Sequence, residues 1–130
     1  MKKTSEELNA LSKRILDICF EIHSLYGPGM LESFYEEVLC YELSKAGIPY
    51  EQQYGIYPTH DGIKMGLGYR IDVLVEDEII LEIKSVEALS EVHHKQLITY
   101  LKVANKRLGF LINFGSVHLK DGIHRKVNGF

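Results

Sequence analysis

Three residues of this 130-residue chain have the types and spacing to cut a phosphodiester: Asp72, Glu82 and Lys84. The stretch from Gly68 to Val75 reads as one strand, Glu76-Asp77-Glu78 as a turn, and Ile79 to Lys84 as a second strand. A three-residue loop pairs Val75 with Ile79 and sets Asp72 opposite Glu82. Side chains directly across an antiparallel pair leave the same face, with β-carbons about 4.5 to 5.5 Å apart. Alternation then brings Lys84 to that face, while Ile71, Val73, Val75, Ile79, Leu81 and Ile83 pack the other. A slip of one residue would turn Asp72 away.

Two carboxylates this close repel unless something positive stands between them, and Lys84 or a divalent cation can do so. Oxygen ligands with open positions suit Mg²⁺ or Mn²⁺, which keep several waters and engage phosphate. Such an ion polarises a phosphodiester and acidifies a bound water, while Lys84 orients that water or neutralises charge developing at phosphorus. A bare D…ExK match more often marks an ion cluster of no catalytic use. Other residues extend the pattern. Gln96 and Tyr100, four apart, share one face of a helix that also carries His93, Lys95 and Lys102 as phosphate-seeking groups. Glu32 offers a third carboxylate.

Several elements must position these groups. Leu8, Leu11, Ile15, Ile18, Ile22 and Leu25 recur every three or four residues, so they form one stripe of a helix. Thr4 and Glu7 make a capping-box start and Gly27-Pro28-Gly29 a stop. That stripe is expected to pack on the domain or on a second copy of the chain. A second helix is expected from Met30 to Ala46, ended by Gly47 and Pro49, with Glu32 and Glu42 at its apolar stripe. Strand-like sequence begins at Tyr50, with a turn at His60-Asp61-Gly62. Ser90 can cap a third helix running from Val92 to Ala104. Leu108 to Phe114 suits a buried strand, and a hairpin around Asp121-Gly122 is expected within Val117 to Val127. The order gives an α/β domain with a mixed sheet.

Length fits one domain over residues 1–130, since chains divide at roughly 100 to 200 residues. With 45% hydrophobic and 25% charged residues the composition is that of a globular protein. No apolar run is long enough for a membrane helix and the N-terminus lacks a signal-peptide core, so a soluble cytoplasmic protein is expected. Cys19 and Cys40 lie in helical segments without CxxC or Cys/His spacing, which reads as buried thiols and no zinc site. The net charge of −3 conceals an asymmetry. Residues 1–91 carry 8 basic and 17 acidic side chains, a balance of −9; residues 92–130 carry 7 basic against Asp121 alone, a balance of +6, and include His93, His94, His118 and His124. That region can dock a polyanion although the whole chain is acidic.

Together these residues resemble the PD-(D/E)XK phosphodiesterase superfamily, whose restriction-endonuclease-like core runs helix, three strands, helix, strand. More narrowly, Gly29-Met30-Leu31-Glu32-Ser33-Phe34-Tyr35 looks like the signature of the GxxExxY family, as do Leu43 through Gly47, Asp72, Glu82-Ile83-Lys84, Gln96 to Tyr100 and Asn113-Phe114-Gly115. An extra N-terminal helix and a C-terminal hairpin would flank that core. The resemblance implies a Mg²⁺ (or Mn²⁺) site at Asp72, Glu82 and the carbonyl of Ile83, with Glu32 as an extra ligand. It makes Lys84 the catalytic lysine and Gln96 and Tyr100 a QxxxY element. Ile71 stands where the motif has proline. The expected function is metal-dependent hydrolysis of nucleic acid, DNA foremost. The alternative is a catalytically silent module that binds nucleic acid, through Lys102, Lys106 and Arg107, or a protein partner. A homodimer is compatible with both, and without a zinc finger or helix-turn-helix strong sequence specificity is not expected.

Overall fold

The computed structural model describes residues 2–130. Helices α1 (Ser5–Tyr26) and α2 (Glu32–Lys45) lead into strands β1 (Tyr50–Ile56), β2 (Thr59–His60), β3 (Ile63–Lys64), β4 (Tyr69–Val75) and β5 (Ile79–Lys84). Helix α3 (Glu91–Ala104), strand β6 (Leu108–Asn113), a 3₁₀ turn at Leu119–Gly122 and strand β7 (Ile123–Val127) complete the chain. The main sheet has the order β1-β4-β5-β6-β7. Every pairing in it is antiparallel except β5 with β6, which α3 connects as a crossover.

Helix α1 starts as its sequence dictates. Thr4 Oγ1 accepts the Glu7 N–H at 3.1 Å and Glu7 Oε1 accepts the Thr4 N–H at 2.9 Å. Its stripe is spent within the domain: Leu8, Leu11, Ile15 and Ile22 are buried, and Leu25 is 76% exposed past the edge of the packing. Helix α2 begins at Glu32, two residues later than the sequence suggests. The reason is local, since the Met30 N–H bonds the Tyr35 hydroxyl at 3.1 Å and the Met30 carbonyl accepts from Ser85 Oγ at 2.7 Å. Both groups are drawn out of helical pairing.

The Val75–Ile79 pairing with its three-residue loop agrees with the expected register. Glu76 and Asp77 both have positive φ (49° and 57°) at the centre of the turn that the Glu78 N–H closes on the Val75 carbonyl at 2.9 Å. Three ion pairs tie that turn down: Lys3–Glu76 at 3.0 Å, Lys106–Asp77 at 3.1 Å and Arg107–Glu78 at 3.4 Å.

Apolar layers cover both faces of the sheet, where the alternation argument expected a polar one. Val73, Val75, Ile79, Leu81, Ile83, Phe110 and Ile112 pack under α1 and α2. Leu74, Ile80 and Leu111 pack under Leu97, Tyr100 and Leu101 of α3. Gly109 makes that second layer possible, because a β-carbon there would lie 3.0 Å from Leu97 Cδ1. Ile71 belongs to the α3 layer, not with Val73 as expected. The β4–β5 ladder ends at Val73–Leu81, and Gln53, opposite Asp72, has φ 53°, so strict alternation is lost at this one position. The expected C-terminal hairpin is not formed. His118 leads into the 3₁₀ turn, and β7 then joins the sheet as the antiparallel neighbour of β6. Gly122 sits too close to Ser116 Oγ and the Asn113 carbonyl, 2.4 and 2.6 Å from where its β-carbon would be, for a free-standing loop.

Candidate active site

Where the ladder stops, side chains take over the backbone bonds. Glu82 Oε2 accepts the Asp72 N–H at 2.9 Å, and Asp72 Oδ2 accepts the Ile83 N–H at 2.8 Å. Each acid is thereby fixed to the strand that carries the other. The second oxygens, Asp72 Oδ1 and Glu82 Oε1, accept no hydrogen bond among the described residues. No fully buried polar side-chain atom among those residues lacks a partner, so each of these oxygens keeps some contact with solvent.

Glu82 is 4% exposed and Asp72 half-buried. Burial is the largest cause raising both carboxyls, Asp72 from 3.8 to about 6 and Glu82 from 4.5 to about 8. Asp72 adds repulsion on Glu82, and Glu36 adds to both, while Lys84 and the backbone N–H donors pull the other way. Lys84, half-buried at the end of β5, forms no ion pair among the described residues, so it is not spent in an inert salt bridge.

The donor chemistry fits a hard divalent cation: two charge-strained carboxylates, each with an open oxygen, on facing strands. No group of three or more His, Cys, Asp or Glu side chains among the described residues is arranged as a metal site by itself. A divalent ion held by these two carboxylates would complete its shell with water, backbone carbonyl or substrate oxygens.

Helix α3 brings Tyr100 to the pair. Its ring lies 5.9 Å from that of Tyr69, and burial first, then Glu82 and Asp72, raise its hydroxyl above the usual range. Gln96 is half-buried one turn earlier on the same side. Lys95 and Lys102 are exposed on α3, and His93 Nδ1 accepts the Ser90 N–H at 3.1 Å at its start. Lys106 and Arg107 are not brought to the site; their ion pairs hold them at the Glu76–Glu78 turn, the opposite end of the sheet.

Glu32 is exposed in the first turn of α2, and Glu42 pairs with Lys45 at 3.2 Å. The buried acid of α2 is Glu36, 8% exposed, which the sequence reading passed over. Its carboxylate accepts from Gln52 Nε2 at 2.7 Å and from Gln53 Nε2 at 3.1 and 2.9 Å, and it acts on Asp72 more strongly than Glu32 does. Its spacing of three and four from Leu39 and Cys40 was the available signal.

Two further motifs hold the end of β5. Asn113, buried, accepts the Val86 and Gly115 N–H groups, each at 3.0 Å, and returns a bond to the Val86 carbonyl at 2.9 Å. A β-carbon at Gly115 would stand 2.3 Å from that carbonyl, so only glycine fits. The Phe114 N–H donates to the Lys84 carbonyl at 2.8 Å, and the Phe114 ring stacks on Tyr35 with centroids 4.6 Å apart. The Tyr35 hydroxyl donates to the Gly27 carbonyl and accepts from Met30, which ties the loop before α2 to the strand end bearing Lys84.

Cys19 and Cys40 are buried thiols, both pushed up to about 12 chiefly by burial, and take no part in this chemistry. No described helix is long and apolar enough to cross a membrane. No curated protein matches the chain. A sequence model of the PD-(D/E)XK nuclease superfamily matches residues 9–126, nearly the full length, and agrees with the N-terminal helices and the five-stranded mixed sheet. The chain therefore belongs to the PD-(D/E)XK nuclease superfamily, with a restriction-endonuclease-like fold.

Proposed function

We propose that the protein hydrolyses phosphodiester bonds of nucleic acid, DNA foremost, as a Mg²⁺- or Mn²⁺-dependent nuclease of the GxxExxY type. The observation that carries this reading is the Asp72–Glu82 pair, its inner oxygens bonded across the strands and its outer ones unbonded, beside Lys84, which has no ion pair among the described residues. Asp72, Glu82 and the Ile83 carbonyl would hold the ion, with Glu32 or the buried Glu36 behind them. Bound there, the ion would supply an acidified water and a polarised phosphoryl oxygen.

The remaining roles fall to the chain. Lys84 places its ammonium where negative charge gathers on phosphorus, a stabilisation that strengthens in a half-buried site. Gln96 presents an amide able to orient water or phosphate, and Tyr100 with Tyr69 forms an aromatic wall against which a nucleotide can rest. His93, Lys95 and Lys102 line the approach along α3. Lys106 and Arg107 contribute only at long range.

Incubating labelled DNA and RNA, single- and double-stranded, with the protein and Mn²⁺ tests this reading. Cutting that disappears with EDTA and with Asp72→Asn supports it; cutting that survives Asp72→Asn in a pure preparation refutes it. Binding that is indifferent to metal, with no cutting of any substrate, would favour the silent module. For the homodimer, α1 offers Phe20, Leu25 and Tyr26 as exposed apolar groups, and sedimentation at rising concentration decides it.

A further inference from the structure

Lys106 and Arg107 spend their charge on the far turn, so the basic excess of residues 92–130 must be expressed elsewhere. Near the site it gathers where α3 meets the edge strand β7. The rings of His94 and His124 meet edge to face with centroids 4.7 Å apart. Lys126 lies on the same face of β7 as His124 by alternation, and with His124 and His93 it acts on His94. Neither imidazole nor the Lys126 amine has an ion-pair partner among the described residues, and all three side chains are half-buried. Glu91, exposed in the first turn of α3, offsets part of this charge. Burial first, then Lys126, push the His94 imidazole below its usual range, so the Lys126 ammonium supplies the charge and the imidazoles supply ring N–H donors to an anion seated among them.

The seam also has a fixed relation to the acid pair. Glu82 pairs with Leu111, and Leu111 pairs with His124, so the three stand in one row across the sheet. Directly paired residues share a face, which places His124 on the face of Glu82 two strands away, roughly 10 Å at about 4.8 Å per strand. Helix α3 roofs that face, with Tyr100 on the flank of the acid pair and His94 on the flank of β7. A nucleic-acid strand carries a phosphate about every 3.4 Å along a helical axis, so a chain held at the acid pair and passing round α3, which covers Leu111, presents further phosphates to the seam.

We propose that the seam of His94, His124 and Lys126 between α3 and β7 binds backbone phosphates of the substrate strand, flanking the phosphodiester held at Asp72 and Glu82. The inference rests on the nuclease reading for its substrate class and names the surface that grips it. The ligand is the phosphodiester anion, taken without base readout, so DNA and RNA strands of equal length bind through the same groups.

Fluorescence anisotropy of labelled single-stranded DNA, duplex DNA and single-stranded RNA with the full chain in EDTA tests this, across a salt series. His124→Ala/Lys126→Ala is expected to lose about tenfold in affinity and to flatten the salt dependence by about one unit of log–log slope. A control variant that removes two lysines from the opposite layer, Lys13→Ala/Lys45→Ala, is expected to stay within about twofold of wild type. Should the first variant melt early, His124→Gln/Lys126→Gln keeps the side-chain bulk and carries the same expectation. Unchanged affinity and slope in the seam variants, an equal loss in the control, or no binding of any probe by the wild type overturns the proposal. Because these measurements contain no metal, absence of cutting leaves them readable, and wild-type-like binding by the seam variants leaves the hydrolytic assignment standing.

Discussion

Asp72 and Glu82 do not merely face each other: Glu82 Oε2 holds the N–H of Asp72 at 2.9 Å, and Asp72 Oδ2 holds the N–H next to Glu82 at 2.8 Å. The acids thus replace the ladder bonds that end at Val73–Leu81. Geometry and charge are separable here. Asp72→Asn keeps an acceptor for Ile83 while removing one of two repelling charges, so in EDTA at pH 8 it is expected to be more stable by about 1 kcal/mol, although cutting is lost. Asp72→Ala leaves the Ile83 N–H without its partner and is expected to cost about 1–3 kcal/mol relative to Asp72→Asn. Urea denaturation of the three proteins checks both.

Stability should depend on pH with an unusual sign. The folded pair holds its protons above the unfolded carboxylate values, Asp72 to about 6 and Glu82 to about 8. The stabilisation from this pair is present in full below about pH 4 and is lost as pH rises towards 8. Without metal, Glu82→Gln should flatten the fall between pH 5 and pH 8, a difference of order 2 kcal/mol. Adding Mn²⁺ at pH 8 should restore stability to the wild type and not to Glu82→Gln, because a ligand of the folded state stabilises by mass action. Thermal melts in buffers of matched ionic strength measure this.

Glu36, gripped by Gln52 and Gln53, is expected to matter more than the exposed Glu32. Glu36→Gln should weaken Mn²⁺ affinity several-fold in calorimetric titration, and Glu32→Gln less. The reverse order would return the role to the signature's own glutamate.

The Tyr35 hydroxyl ties Gly27 to Met30, while its ring stacks on Phe114. Tyr35→Phe retains the stack and loses the tie, for an expected cost of about 1–2 kcal/mol. If the loop also steadies Lys84, kcat should fall without a matching change in substrate affinity.

How the sequence led to this site is clearest at β4 and β5. The three-residue loop fixes the register, and register alone predicts Asp72 opposite Glu82. What periodicity misses is the break it provokes: acids bonding backbone end the ladder, and Ile71 then joins the α3 layer. Charge counting located a basic C-terminal region correctly but could not tell Arg107, paired with Glu78, from Lys126, which has no anionic partner among the described residues. Pairing depends on which turn the topology brings alongside. Glu36 was hidden for a similar reason, since its partners Gln52 and Gln53 lie on a neighbouring strand. The C-terminal Asp121-Gly122 resembles a hairpin turn, yet close packing against Ser116 coils it into a 3₁₀ turn.

The most direct measurement is the single-turnover rate of Mn²⁺-dependent DNA cutting by wild type and Lys84→Ala, with circular dichroism showing both folded. An ammonium without an ion pair among the described residues and set beside the acid pair predicts a loss of about a hundredfold or more in rate with little change in melting temperature. Equal rates from two equally folded proteins would contradict it.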